Sequence, residues 1–373
     1  MNNFPKALPD IKLYNLYTEK DDAVLLGSCQ YDHYVVSTRK KAIQFLELLK
    51  NLDGSNSLDD LETLWGLSKQ QVSTIIDSFE KQGLLLDSNL HKRTELNSLS
   101  HELFVIKLRS HPRPNTNVYK KIACIGLMIT FILMSINVLL FSVGSFNYTY
   151  SGVSATTSIL SFILSLLIVI PSFLFHELCH VLLARANNLY PEGIHIRLYL
   201  FVIPLFYVKI PNIYSLDRKS RIQIMSAGMI GNLFLLNLFL IIYSISGEPF
   251  VFSCALSQFY IIFSNLSLFN LSDGYFIFSQ IAKVQNLRTK MFRLLTGKVN
   301  LRNDFRVTLY TAINLILITL GFFYMVMGCF RALGIELFGD GIAVCVVLSV
   351  LFLSFYIVMV RYRFSKNLPM ENK

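Results

Sequence analysis

The chain has 373 residues, 53% hydrophobic and only 16% charged, with a mean hydropathy of +0.49. Soluble domains carry roughly 25% charged residues, so this composition excludes a disordered chain, a disulfide scaffold and an ordinary soluble enzyme. A net charge of +10 in so apolar a chain points to the basic cytoplasmic loops of a membrane protein before it points to nucleic acid.

Met1 to Asp10 is polar and charged sequence follows, so no secretory signal peptide is expected there. Residues 23–28 and 31–37 predict two short strands around a turn. Residues 40–51 predict a helix with Ile43, Phe45, Leu46, Leu48 and Leu49 apolar. Ser57 is a natural N-cap for a second helix, and residues 68–82 place Val72, Ile75, Ile76 and Phe79 on one face of a third. Gly83 ends that helix, and Leu84-Leu-Leu predicts a further strand. The result is a small α+β, winged-helix-like domain over residues 1–106. Its charge decides between partners: fifteen acidic against eleven basic side chains, a net of −4. Nucleic-acid binding requires a basic face to neutralise phosphate, so this balance favours peptide or protein docking, or simple structural support, and no nucleic acid.

A basic linker, 107–121, leads into membrane sequence. Six apolar runs are long enough to span a bilayer, at 122–143, 158–183, 222–243, 251–281, 307–330 and 342–360. The fold class is therefore a multi-pass α-helical membrane protein with about six transmembrane helices. The fourth run exceeds what a span needs, which predicts a helix that is tilted, broken or partly outside the hydrocarbon. Lys and Arg crowd into the linker, the loop after the second span, the loop at 282–306 and the tail, whereas the alternate loops hold only Arg331. The positive-inside rule then puts both termini in the cytoplasm of a cell-membrane protein. Five of the six cysteines lie in or beside apolar runs and none forms a Cys-x-x-Cys pair, so they read as small buried hydrophobes.

The chemistry sits in the second span, in Phe173-Leu-Phe-His176-Glu177-Leu178-Cys179-His180. Residues i and i+4 share a helix face, so His176 and His180 can grip one ion. Glu177 lies beside it, where a carboxylate can take a proton from a water activated by Zn²⁺. Ionisable groups are expensive inside a membrane and are functional by default; the bland alternative is an internal polar network. A catalytic zinc usually takes three protein ligands and a water. Outside Glu177, Asp273 is the acid well inside an apolar run. Spans two and four run in the same direction, and both carry their polar groups towards the cytoplasmic end, so His176, His180 and Asp273 can meet at one depth. The competing reading of Asp273 is a helix-end partner for Lys283.

These residues, in this order, resemble the site-2 protease class of intramembrane zinc metalloproteases, in the branch of peptide zinc metalloproteases found with bacterial peptide natural products. The likeness runs over roughly 158–281. It is carried by His176-Glu177-x-x-His180, by Ala227-Gly228-Met-Ile-Gly-Asn232, and by Asn265-Leu-Ser-Leu-Phe-Asn-Leu-Ser-Asp273-Gly274-Tyr275. Met229 and Leu268 stand where the family has proline. The resemblance implies zinc as cofactor, His176, His180 and Asp273 as its ligands, and Glu177 as general base and later acid. It implies Asn265 and Asn232 as groups that hold substrate backbone or polarise the scissile carbonyl; both also read as interhelical hydrogen-bonding residues. Residues 194–210 suggest a re-entrant hairpin that adds a substrate strand, and His195 within it reads as an interfacial residue and not a fourth ligand. The N-terminal domain resembles PqqD-like peptide-recognition elements, which bind leader segments by strand addition.

The resemblance implies an endopeptidase cutting a precursor peptide near the cytoplasmic leaflet during maturation of a ribosomally made peptide. Its partners would be a peptide or single-span membrane protein substrate, the lipid bilayer and a peptide exporter. Two further readings stand beside it: regulated proteolysis of a single-span signalling protein, and a non-catalytic peptide receptor or immunity protein. The last fits poorly with an intact Glu177.

Overall fold

The computed structural model describes residues 4–17, 21–31, 33–86, 100–108, 115–142, 155–199, 203–266, 272–297, 304–332 and 340–365. The chain divides into two compact units, Met1–Thr116 with Ala184–Gln223, and Asn117–Leu183 with Ile224–Lys373.

The first unit begins with an antiparallel sheet of order β1-β2-β3, formed by β1 (Ile11–Asn15), β2 (Ala23–Ser28) and β3 (His33–Thr38). Leu13 pairs with Leu26, and Leu25 with Val36, so the central strand is buried from Val24 to Ser28. Three helices follow: α1 (Arg39–Lys50), α2 (Leu58–Trp65) and α3 (Lys69–Lys81). Ser57 closes a capping box with Asp60, and Ser68 closes one with Gln71, so each helix starts where its free N–H groups find an acceptor. Gly66 and Gly83 follow α2 and α3 with positive φ of 62° and 73°, which glycine adopts without strain. Leu26, Leu49, Leu61, Val72, Phe79 and Leu84 make the core, with Phe45 edge-on to Phe79. The other face of the sheet carries Tyr14 and Tyr34. Tyr34 packs edge-on to both Tyr14 and Tyr214, and its hydroxyl donates to Asn212. An open groove of about 850 Å³ runs along β1, lined by Tyr14, Asn15, Tyr17, Tyr214, Asp217 and Arg218 among others.

Two expectations change in this unit. Leu84–Leu86 does not form a named strand: Ala7 and Leu85 make an isolated bridge, with Leu8 N–H donating to Leu84 and Leu86 N–H to Lys6. The continuation of that segment lies outside the described residues. The hairpin expected at 194–210 is present as β5 (Gly193–Tyr199) and β6 (Ile203–Lys209), but it has a third member, β4 (Ser100–Lys107), on the β5 side. Lys107 pairs with Gly193 and Ser100 with Tyr199. A Cβ on Gly193 would stand 2.9 Å from the Ile106 carbonyl, so glycine permits that close pairing.

Among the described residues, six helices are long and apolar enough to cross a membrane. They are α4 (Thr116–Ser142), α5 (Ala155–Ala186), α6 (Arg218–Ser246), α7 (Pro249–Leu266), α10 (Phe305–Ala332) and α11 (Asp340–Ser365). This is the architecture of a multi-pass membrane protein. The end of the expected linker is helical, since α4 already includes Lys120 and Lys121. The long fourth run is broken, one of the outcomes its length left open. Helix α7 ends at Leu266, and a separate α8 (Asp273–Ala282) starts at the acid. A short α9 (Leu287–Leu295) follows, and Leu287 and Met291 bury with Tyr275, Val307, Tyr310 and Val360 to tie α8–α11 together.

Candidate metal centre

Helix α5 carries Ser172, His176 and His180 at four-residue spacing, so all three lie on one face. They are buried, as is Glu177. Helix α6 packs against this face because it presents glycine there. A Cβ on Gly228 would collide with the His176 imidazole, and one on Gly231 would stand 2.6 Å from Cys179 Sγ. Small residues let helices approach closely where lipid gives no hydrophobic drive to associate. The Gly228-x-x-Gly231 spacing is thus the seat into which α5 fits.

Asp273 completes the cluster from the first position of α8. Negative charge is favoured at a helix N-terminus, where free N–H groups and the helix dipole point at it. Its Oδ2 lies 2.9 Å from His176 Nε2 and 3.2 Å from His180 Nε2, and the two Nε2 atoms are 3.2 Å apart. Ligands each about 2.0–2.1 Å from a tetrahedral zinc stand about 3.3 Å from one another. The three atoms therefore form one face of such a tetrahedron, drawn in slightly. Two imidazoles and a carboxylate are a donor set suited to zinc, and a divalent ion would balance the charges of Asp273 and the neighbouring Glu177. Asp273 keeps one-fifth of its side chain exposed, while the histidines are nearly covered. The cluster is thus more open on the side of the acid.

Each histidine is also held from behind. His180 Nδ1 donates to the Ile224 carbonyl at 2.7 Å. His176 Nδ1 lies 3.1 Å from the Asn232 side-chain amide. The two rings meet edge-on, with centroids 4.9 Å apart. One turn before His176, Gln258 of α7 donates to Ser172 Oγ at 2.7 Å, and Ser172 in turn donates to Ile168 O.

The residues singled out in the sequence separate into two groups. His176, His180 and Asp273 come together, with Glu177 buried beside them and Asn232 against His176. Asp273 is bonded to both histidines, which makes it part of this cluster and not simply a partner for Lys283. Asn265 is half-buried in the last turn of α7, and its amide donates back to Ile261 O of its own helix. Its backbone carbonyl faces Gly274, where a Cβ would approach to 2.5 Å. His195 stacks on Tyr207 in the β5–β6 sheet and is not part of the three-residue group. The role of Gly228 and Gly231, and the Ser172–Gln258 pair, were not foreseen. The glycines' spacing next to Asn232 was the available signal.

No family model, curated protein or solved structure matches this chain.

Proposed function

We propose that the chain is an intramembrane zinc endopeptidase that cuts a precursor or membrane-associated peptide. One observation carries this reading. Two histidines from one apolar helix and an acid from another element bring their ligand atoms to within about 3 Å of each other, with a buried glutamate next in sequence. Nothing in the packing of apolar helices calls for four such groups together, and in a membrane they are costly to assemble.

His176, His180 and Asp273 would hold the ion. Zinc bound there supplies a Lewis acid that lowers the pKa of water to about 7 and polarises a carbonyl. Glu177 accepts the proton of the attacking water on its carboxylate. The new C–O bond forms, the scissile C–N bond breaks, and Glu177 passes the same proton to the leaving amine. The substrate must present an unwound segment, because the carbonyls of a helix are already paired and shielded.

The basic loops support a cytoplasmic location for both termini and for the ligand end of α5. The N-terminal domain is then on the side where precursor peptides are made. Its acidic balance and the groove along the edge strand β1 suit capture of an extended segment, which would raise the local substrate concentration.

The test uses the full chain in detergent, as wild type, Asp273→Ala and Glu177→Gln. The reading expects about one zinc per wild-type chain and far less in Asp273→Ala. It also expects hydrolysis of an unstructured fluorogenic peptide by wild type alone, with zinc retained in Glu177→Gln. A folded wild type that binds no zinc would overturn the reading.

A further inference from the structure

We infer that Asn232 is a positioning residue: its buried amide lies behind His176 Nδ1 and supplies the acceptor for Nδ1–H that leaves the lone pair of Nε2 facing the metal. This rests on the metal-site reading above.

A neutral imidazole has one N–H and one lone pair, and a metal ligand must offer the lone pair. For His180 the backbone settles the matter. The Ile224 carbonyl can only accept, so Nδ1 carries the hydrogen, and in the neutral ring Nε2 keeps the lone pair on the side of Asp273. No side-chain substitution can remove that acceptor. His176 has no such carbonyl. Its Nδ1 faces the Asn232 amide, which holds a donor and an acceptor on the same carbon.

In the arrangement seen, Asn232 Nδ2 points at Nδ1, and Asn232 Oδ1 is buried with no hydrogen-bond partner. An amide N–H donating to Nδ1 leaves the ring hydrogen on Nε2, where Asp273 Oδ2 accepts it at 2.9 Å. That hydrogen would stand where a metal needs the lone pair of Nε2. Once a metal occupies the lone pair of Nε2, the hydrogen sits on Nδ1 and needs an acceptor. Turning the amide by 180° exchanges two atoms of nearly equal size, so it changes little in the packing. It brings Oδ1 to Nδ1–H.

The surroundings suit this role and not substrate contact. Asn232 is fully buried (0% exposed), while His176 is pressed against Gly228 one turn earlier on the same helix. The resemblance to site-2 proteases implies a substrate-holding role for Asn232; the geometry points to the ligand instead. Groups of this kind behind a metal-bound histidine typically change metal affinity 10- to 100-fold when removed.

The experiment measures zinc affinity of the full chain in detergent at pH 7, by competition with a chromophoric chelator. Wild type is compared with Asn232→Asp and Asn232→Leu. Aspartate accepts from Nδ1–H without turning, so Asn232→Asp should stay within about threefold of wild type. Asn232→Leu keeps the volume but has no acceptor, so it should lose about 10- to 100-fold. If the leucine variant does not fold, Asn232→Ala is read in the same assay with the same expectation. Equal affinity in wild type and Asn232→Leu, or in its alanine substitute, overturns the inference. So does a loss in Asn232→Asp as large as in the apolar variant, which is the signature of a packing role. A wild type that binds no zinc brings down the metal-site reading itself, and is distinguishable from both.

Discussion

The two interiors of this molecule differ in how much polar material they hold. In the N-terminal region the residues withdrawn from solvent are Val24, Leu26, Leu61, Val72, Phe79 and Leu84. In the spanning unit many of the most buried side chains are polar: His176, Glu177, His180, Asn232, Gln258 and Asn314. Large apolar side chains such as Ile125, Phe131, Leu139 and Val347 lie exposed. Water drives the first arrangement, since each fully buried apolar side chain contributes about 1.5–3 kcal/mol. Lipid removes that drive between helices, leaving close packing and interhelical hydrogen bonds such as Asn137–Asn237 and Gln258–Ser172. Where water organises the fold, the centre is inert. Where lipid surrounds it, the centre is where chemistry can be placed.

The largest expected effect tests the polar interior. Glu177→Gln should cut hydrolysis by about 10²- to 10⁴-fold, the usual contribution of a general base, with zinc content unchanged. Full hydrolysis by that variant would reduce the polar centre to scaffolding. Next is the apolar interior. Phe79→Ala should destabilise the N-terminal region by about 3–5 kcal/mol, read as loss of its protection in hydrogen exchange while zinc binding by the spanning unit persists. Gly228→Ala falls between the two interiors in kind, because its effect is steric. The added methyl displaces His176, and a misplacement of about 1 Å can cost roughly 100-fold in rate; a rate near wild type would show that α5 and α6 tolerate more space than their contact allows.

Smaller effects sharpen the contrast. Ser57→Ala removes the capping box of α2 and should cost about 1 kcal/mol in denaturant unfolding of the N-terminal region. The Ser57 hydroxyl, followed by its backbone N–H, holds the Asp60 carboxyl below the usual carboxylate range. A lowered folded pKa means this contribution is present above the ordinary pKa of about 4 and is lost as pH falls through the lowered value. The difference between wild type and Ser57→Ala should therefore shrink in acid. At the bottom of the scale, Val347→Ala on the exposed face of α11 should change thermal stability in detergent by less than about 0.5 kcal/mol. A large loss there would mean that this face is covered by protein.

Much of this was legible in residues close together in the chain. The i, i+4 spacing of His176 and His180 and the Ser57 cap of α2 are local patterns, and local hydrogen-bond geometry enforces them. The excess length of the fourth run left a break as one of three outcomes, and α7 and α8 are separate helices. The third strand β4 was missed because a strand gains its hydrogen bonds from a distant partner, here β5, and its own residues carry little sign of which one.

By itself, then, the sequence determined the class of the protein, six apolar spans with an acidic folded N-terminal region, and the identity of the groups that could bind a metal. Composition and helical periodicity are sufficient for that, because they act over a few residues at a time. Only the tertiary structure decided that Asp273 reaches both histidines, that Gly228 makes room for His176, and that the Asn232 amide lies against the ring. Each of these depends on two helices meeting within a few ångströms, and the separation of side chains across such a contact is set by packing, which no stretch of sequence encodes alone.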